Sequence, residues 1–210
     1  MRDVKVESYA PAYPLEEPIR NSAIAKVLKS SNKKFQEGDI ITRYMSGEFQ
    51  EYSVLKPDEL GDDVWKLDNP FELDPIYFLG PLGMPGLTAY SSFYEIAKPK
   101  KGETIFISAA SGAVGSLVGQ LAKREGLKVI GSVGDKAKLK YITEELGFDD
   151  GFNYKEEEPM KALQRLAPDG IDIYFENVGG AHLEAALASL KLWGRTGRSC
   201  IYYCMPNDFD

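Results

Sequence analysis

The sequence predicts an α/β protein in which a parallel sheet with alternating helices follows a smaller β-rich region. Three observations predict this class. Residues 104–119 read as an apolar strand, a turn of small residues and an amphipathic helix. Strand and helix patterns then alternate four times up to about residue 195. Before residue 76, short strand-like segments are separated by turns, which is typical of a small antiparallel unit.

Composition narrows the class of protein before any motif is considered. The chain has 210 residues, 43% of them hydrophobic, and a formal net charge of −7. That length accommodates one large domain or two small ones. The negative charge disfavours nucleic acid and anionic membrane as partners. We recognise neither a signal peptide nor an apolar run of about 18 residues, and we therefore expect a soluble, cytoplasmic protein.

Cysteine and histidine are too scarce for several kinds of site. The only cysteines are Cys200 and Cys204, and the only histidine is His182. One cysteine pair without a second pair favours neither a disulfide framework nor a zinc site. We expect no metal site and no Ser-His-Asp triad, and a zinc alcohol dehydrogenase is disfavoured for the same reason.

The region before residue 99 combines short strands with one helix. Apolar segments predict strands at residues 23–28, 39–42 and 49–55. A turn-rich stretch at residues 80–86 then leads into a predicted helix over 87–96. Helical spacing would place Leu87, Tyr90, Tyr94 and Ala97 on one face of that helix.

Residues 105–122 carry the first motif with chemical meaning. The strand at 105–107 ends in a turn of small residues at 109–112. Ala110, Gly112 and Gly115 occupy the positions of G-x-G-x-x-G, with alanine in the place of the first glycine. Such a turn brings the backbone close to a pyrophosphate, and the following helix presents free N–H groups to it. The alternative is that small residues are needed only to pack the helix against the sheet. The apolar face of the predicted helix consists of Val114, Leu117, Val118, Leu121 and Ala122.

The rest of the second half continues the alternation. We predict strands at residues 127–132, 151–154 and 171–175. Asp135 is placed to cap the helix after the first of these strands, and Pro159 suits the first turn of the next helix. A last helix is predicted over 181–190, with Leu183, Leu187 and Leu190 facing inward. This succession predicts a parallel sheet with right-handed crossovers.

The end of the second predicted strand bears on the choice of cofactor. An NAD site usually has a carboxylate there that binds the ribose hydroxyls, whereas this strand ends in Gly131 and Ser132. Asp135 lies 20 residues after Gly115, but it is past the strand end and is better explained as a helix cap. Lysines 136 and 138 can accept a 2′-phosphate, so we favour NADP over NAD. The alternative is that both lysines belong to an ordinary solvated helix face.

These motifs together give the chain a family resemblance. It resembles the zinc-independent medium-chain dehydrogenase/reductases, and within them the prostaglandin reductase/leukotriene hydroxydehydrogenase branch that includes the alkenal double-bond reductases. The resemblance runs from about residue 1 to Arg195. It is carried by GMPGLTAY at 83–90, AASGAVGSLVGQLAK at 109–123, LGFDDGFNYK at 146–155 and YFENVGG at 174–180.

The resemblance implies a site for NADP. Residues Gly112, Ala113, Val114 and Gly115 would hold the pyrophosphate. Lys138 matches the lysine that binds the 2′-phosphate, and Lys136 is the reserve candidate.

Three further residues are assigned in the same way. Tyr154 matches a tyrosine beside the 2′-phosphate and the adenosine ribose, and Asn177 matches an asparagine near the nicotinamide. Thr88 would face the nicotinamide from the cleft. The alternatives are a core role for Tyr154 and a turn-forming role for Asn177.

The implied reaction is hydride transfer from NADPH to an activated carbon–carbon double bond of an enone or enal, or oxidation of a related alcohol. The substrate would be a small carbonyl compound, with no nucleic acid or membrane involved. The family is homodimeric, and its dimer-forming strands have no counterpart in this sequence. The segments that supply its oxygen-binding tyrosines also have none, so no catalytic residue is assigned.

The resemblance also implies domain boundaries and a shortened chain. Residues 1–75 would form a partial GroES-like catalytic domain, 76–98 a connecting loop and helix, 99–195 a Rossmann-type domain incomplete at its C-terminal side, and 196–210 an atypical tail. We expect a chain shortened at both ends relative to this family. The alternative function is therefore a catalytically inactive dinucleotide-binding module of the same family.

Overall fold

A computed structural model describes residues 16–198 and divides the chain into two units. The first unit ends at Leu79 and the second begins at Gly80. Among the described residues, every α-helix lies in the second unit. None of these helices combines the length and apolar character that crossing a membrane requires.

The first unit is built on a three-stranded antiparallel sheet of order β1-β2-β3. Its strands are β1 (Arg20–Lys26), β2 (Ile40–Glu48) and β3 (Val64–Lys66). A short 3₁₀ helix lies before β3 at Pro57–Glu59, and another lies after it at Pro75–Phe78. The core of this unit is small and consists of Phe35, Ile41 and Val64, with a few partly buried neighbours.

The strand predicted at residues 49–55 is wrong, and the third strand is β3. Residues 49–55 form bends and irregular chain, and Val54 is 88% exposed. The pattern of aromatic and β-branched residues gave strand propensity, but propensity yields a strand only where a partner strand and a buried face are available. Here only Leu55 packs against the small core.

The second unit contains a five-stranded parallel sheet of order β6-β5-β4-β7-β8, which confirms the predicted α/β class. Its strands are β4 (Thr104–Ile107), β5 (Lys128–Val133), β6 (Asp150–Asn153), β7 (Ile171–Glu176) and β8 (Leu190–Arg198). Sequence analysis assigned no strand where β8 lies, and β8 includes residues 196–198 of the expected tail. Residues 199–210, with both cysteines, lie outside the described residues.

Five helices accompany this sheet. They are α1 (Met84–Ser91), α2 (Gly115–Arg124), α3 (Lys136–Lys140), α4 (Pro159–Leu166) and α5 (Gly180–Ser189). Helix α1 continues as a π-helical turn over Ser92–Ala97, and α3 continues in the same way over Tyr141–Glu145.

Two predicted helix faces need correction. The buried hydrophobic residues of the first helix are Ala89, Phe93 and Ala97, and Tyr94 packs against them, whereas Leu87 and Tyr90 of the predicted face are exposed. Ala89, Phe93 and Ala97 are each four residues apart, because the helix widens into the π turn. The face that is buried is therefore rotated relative to the predicted one. In α5, Leu183 packs against the core and so does Leu190 at its end, as predicted, but Leu187 is exposed while Ala185 and Ala186 are buried. Small side chains let α5 approach the sheet closely, and this packing overrides the hydrophobicity of the leucine.

Alternation along β4 distributes the core over both faces of the sheet. Ile105 and Ile107 point to the face covered by α2, while Phe106 points to the face covered by α4 and α5. The chain starts this sheet at β4, adds β5 and β6 on one side, and then adds β7 and β8 on the other. The carboxyl ends of β4 and β7 therefore form the switch point, the place where open α/β sheets bind ligands.

Candidate functional site

The loop after β4 folds closely against the start of α2. A Cβ added to Gly115 would lie 2.5 Å from the carbonyl oxygen of Ala109, so only glycine fits there. Ala109 itself has a left-handed φ of 48°. The backbone N–H of Ala110 donates to the carbonyl of Ser132 over 3.0 Å, which ties this loop to the end of β5. The loop is thus held from two sides.

The predicted pyrophosphate residues lie in this loop and at the first residue of α2. Gly112 and Ala113 are exposed, whereas Gly115 is buried. Val114 packs its side chain against the core, so only its backbone can meet a ligand. The first N–H groups of a helix have no partner within the helix and carry its positive dipole end. This arrangement suits a phosphate anion.

A hydrogen-bonded clamp joins β4 to β7 at the switch point. The Ser108 hydroxyl, which is fully buried, accepts a hydrogen bond from the backbone N–H of Asn177 over 2.9 Å. The Asn177 side-chain amide donates to the Ser108 carbonyl over 2.8 Å. The Tyr174 hydroxyl lies 3.2 Å from the same Ser108 hydroxyl. These contacts fix the orientation of Asn177 at the mouth of the crevice.

A buried carboxylate shapes the loop that follows β7. Glu176 is only 2% exposed, and its Oε1 accepts from the backbone N–H of Val178 and, over 2.7 Å, from that of Gly179. These bonds hold the loop just before α5 begins at Gly180. Sequence analysis missed both Ser108 and Glu176. The available signal was that each is the polar residue that ends an apolar strand at this edge.

The other side of the edge gathers charged and aromatic groups around the β5–α3 loop. The Tyr154 hydroxyl lies 3.1 Å from where a Cβ of Gly134 would stand, so the tyrosine ring covers that loop. Asp135 caps α3, with its Oδ1 accepting from the backbone N–H of Lys138 over 2.8 Å, as predicted. That hydrogen bond, aided by the Lys138 charge, lowers the pKa of the Asp135 carboxyl.

Both candidate phosphate-binding lysines face carboxylates. Lys138 Nζ lies 3.5 Å from Asp135 Oδ2, and Lys136 Nζ lies 3.6 Å from Glu156 Oε1. All four side chains are about half exposed or more. Ion pairs with this exposure contribute little to stability, so the lysines can exchange partners readily.

Beside Tyr154 lies the single histidine, which sequence analysis did not assign to the site. His182 is 6% exposed, its ring centroid is 5.2 Å from that of Tyr154, and it stacks at 6.5 Å on Phe106. Its Nε2 has no hydrogen-bond partner among residues 16–198. Burial lowers the pKa of His182, against the opposing effect of the Glu176 charge.

The structure thus brings together most of the predicted site residues. The glycine loop is linked to β5, and Asn177 is linked to β4 through Ser108. Tyr154 covers Gly134 and Lys138 pairs with Asp135, so both belong to the surroundings of the β5–α3 loop. Thr88 is half-buried on α1, and no hydrogen bond described for residues 16–198 joins its side chain to the others.

The described residues of this unit suit a dinucleotide better than a zinc ion. A zinc site needs three or four converging His, Cys, Asp or Glu side chains, and residues 16–198 contain no such group. A dinucleotide needs a close-approach loop, a helix N-terminus and polar groups at the ends of neighbouring strands, all of which are present.

One further concavity lies elsewhere in the second unit. A groove of about 350 Å³ between α1 and α2 is lined by side chains such as Ala89, Tyr90, Leu117 and Leu121. None of the predicted cofactor-binding residues lines it. We therefore do not include it in the candidate site.

The known proteins that this chain resembles are named as dehydrogenases, oxidoreductases or reductases. The profile of the zinc-binding dehydrogenase family matches residues 113–198. The chain is 58% identical over 211 aligned residues to the NADP-dependent oxidoreductase RED1 of Cochliobolus heterostrophus, covering 99% of this chain and 59% of that protein. It is 51% identical over 191 residues to the 2-alkenal reductase (NADP(+)-dependent) of Nicotiana tabacum, covering 90% of this chain and 53% of that protein.

A solved structure agrees with these relatives. CurA from Vibrio vulnificus, crystallised in complex with NADPH, superposes with a TM-score of 0.80 at 34% identity. The superposition covers 90% of this chain and 54% of CurA. The chain therefore spans between about half and three fifths of the length of the relatives that it matches.

Proposed function

The chain belongs to the medium-chain dehydrogenase/reductase family, and from that premise we propose that it is an NADPH-dependent reductase of activated carbon–carbon double bonds. The observation that carries the proposal is the convergence of three features on one edge of the parallel sheet. They are the glycine loop before α2, the Ser108–Asn177 clamp, and the β5–α3 loop with Tyr154 over Gly134 and Lys138 beside Asp135. Relatives named as NADP-dependent support this choice of cofactor.

The proposal gives each part of the edge a role. The backbone of residues 112–115 would bind the pyrophosphate at the start of α2. Lys138 would bind the 2′-phosphate, with Tyr154 beside the adenosine ribose. Asn177, oriented by Ser108, would contact the nicotinamide half, and Thr88 would face it from α1. NADPH, when bound, supplies the hydride.

The substrate class follows from the chemistry that the family shares. Hydride addition to the β-carbon of an enone or enal develops negative charge on the carbonyl oxygen, and catalysis requires groups that orient the reactants and stabilise this oxygen. A relative named 2-alkenal reductase supports an enal or enone as the substrate. We propose that the first unit represents part of the GroES-like catalytic domain.

The proposal is tested by titrating the purified chain with NADPH and with NADH, following reduced-nicotinamide fluorescence. We expect tighter binding of NADPH. The Lys138→Ala variant should lose about tenfold or more of the NADPH affinity, because a hydrogen bond to a charged group contributes about 1.5–3 kcal/mol. Its affinity for NADH should change little, because NADH has no 2′-phosphate.

Lys140→Ala is the matched control for this titration. Lys140 lies on the same helix, is similarly exposed and pairs with Glu144 instead of with a predicted site residue. It should leave both affinities unchanged. If the folded chain binds neither nucleotide, the proposed function is wrong. If NADPH binds but enones and enals are not reduced, the chain is a binding module and not a reductase.

A further inference from the structure

Asp135 holds two positions at once, as a helix cap and as the carboxylate nearest to the proposed 2′-phosphate lysine. Its Oδ1 accepts from the backbone N–H of Lys138 over 2.8 Å, and its Oδ2 lies 3.5 Å from Lys138 Nζ. The cap hydrogen bond prevents the carboxylate from swinging away when a ligand arrives. An aspartate is ionised at neutral pH at its ordinary pKa, and the cap hydrogen bond lowers the pKa of Asp135 further.

The charges around the β5–α3 loop cancel. Lys138 faces Asp135, and Lys136 faces Glu156. Each of the two lysines nearest the proposed phosphate is thus offset by a carboxylate, and the two pairs carry no net charge. A 2′-phosphate carries a charge of about −1.5 to −2, which an approximately neutral pocket attracts only weakly.

The fold requires the cap but does not require its charge. An N-cap needs a side-chain oxygen that accepts a hydrogen bond from the first turn, and serine and asparagine serve about as well as aspartate. The ionised carboxylate is therefore an addition to what α3 needs. It also stands 20 residues after Gly115, at the usual separation for the acid that binds the ribose hydroxyls of NAD.

We propose that Asp135 is a specificity-determining residue that weakens the preference of this chain for NADPH over NADH. This inference rests on the proposed function, because it assumes that Lys138 receives the 2′-phosphate. Because Lys138 Nζ lies 3.5 Å from Asp135 Oδ2, a phosphate held by that lysine at about 2.8 Å would lie within about 6 Å of the carboxylate. At about 6 Å in a water-like dielectric, with the screening length of about 10 Å at 0.1 M salt, repulsion weakens NADPH binding about threefold. NADH, which lacks this phosphate, escapes the repulsion.

The test is the Asp135→Ser variant of the full chain, which keeps a capping oxygen and removes the charge. Dissociation constants for NADPH and NADH are measured by fluorescence titration at about 0.1 M salt and again at about 1 M salt. We expect the ratio of the NADH constant to the NADPH constant to rise about threefold at the lower salt. The rise should shrink at the higher salt, where charges more than about 3 Å apart are screened.

Glu144→Gln is the matched control, since Glu144 is an exposed carboxylate paired with Lys140 on the continuation of the same helix. It should leave the ratio unchanged. If the parent chain binds NADPH and Asp135→Ser leaves the ratio unchanged, the inference is overturned while the proposed function stands. If the parent chain binds no nucleotide, the proposed function is the part that fails. A circular dichroism melt of Asp135→Ser checks that the cap is preserved.

Discussion

The two sides of the candidate crevice hold their polar groups in opposite ways. On the β4–β7 side, Ser108 is fully buried and Glu176 is 2% exposed, and each is hydrogen bonded to backbone groups of the loop after β7. On the β5–β6 side, Lys138 pairs with Asp135 at 3.5 Å and Lys136 pairs with Glu156 at 3.6 Å, and all four side chains are about half exposed or more.

This difference indicates that the β4–β7 side determines the shape of the crevice, whereas the β5–β6 side determines its charge. Buried hydrogen bonds are costly to break, so the β4–β7 side gives the crevice a fixed shape. Exposed ion pairs contribute little to folding, so the β5–β6 side is able to change its charge without a loss of stability. Substitutions on the buried side should therefore change stability, and those on the exposed side should change affinity alone.

The largest effect is expected from Ser108→Ala, on the buried side. The variant removes the hydroxyl that accepts from the Asn177 N–H, and a buried hydrogen bond lost in this way costs about 1–3 kcal/mol. Chemical unfolding followed by far-ultraviolet circular dichroism measures this cost. The signal reports on the second unit, because every α-helix described in residues 16–198 lies there.

Ser108→Ala should also affect binding of the nicotinamide half of the cofactor more than binding of the adenosine half. We expect affinity for NADPH to fall more than affinity for 2′,5′-ADP, which lacks the nicotinamide half. Thr143→Val is the control, since its hydroxyl bonds only to carbonyls of its own helix. An equal loss for both ligands would mean that Ser108 supports the fold without orienting Asn177.

A smaller effect is expected from pH, through His182 at the border between the two sides. Burial lowers the pKa of His182 in the folded chain, whereas the unfolded residue titrates near 6.5. Protons then bind the unfolded chain first as the pH falls. Stability is full above about pH 6.5 and declines below it, by at most about 1.4 kcal/mol per pH unit, until the folded pKa is reached.

His182→Leu should remove this decline between about pH 6.5 and the folded pKa. His182 is the only histidine, so no other side chain of its type titrates there. The groups that face it are Tyr154, through its ring, and Glu176, through its charge. Unfolding free energies measured at pH 8 and at pH 5.5 test the claim. An unchanged slope in the variant would contradict it.

The same contrast explains what the sequence could predict. Strand and helix periodicity, glycine stops and the Asp135 cap are local, so the parallel strands β4 to β7 and the cap were predicted correctly, whereas the edge strand β8 was missed. The strand at residues 49–55 was wrong because strand formation depends on a partner that no local pattern reveals. Leu187 was placed inward because helical spacing does not show that neighbouring alanines pack more closely.

The candidate site divides in the same way. The glycine loop and the lysines were identified from motifs and resemblance, which report residue type and spacing. Ser108 and His182 were missed because their contacts join different strands and helices, as in the bond from Asn177 to Ser108, 69 positions apart. Glu176 was missed although its bonds to Val178 and Gly179 are local, because residue type alone does not show that this carboxylate is buried. Likewise, nothing in the spacing showed that Lys136 faces Glu156.

The smallest effect is expected from Lys136→Ala, on the exposed side. Its ion pair with Glu156 is long and its side chain is 81% exposed, so the unfolding free energy should change by less than about 0.5 kcal/mol. NADPH affinity should fall less than in Lys138→Ala, because Lys138 is the lysine assigned to the phosphate. Titration of both variants in parallel decides the order. A larger loss of NADPH affinity in Lys136→Ala than in Lys138→Ala would assign the 2′-phosphate to Lys136. The neighbouring carboxylate would then be Glu156 and not Asp135.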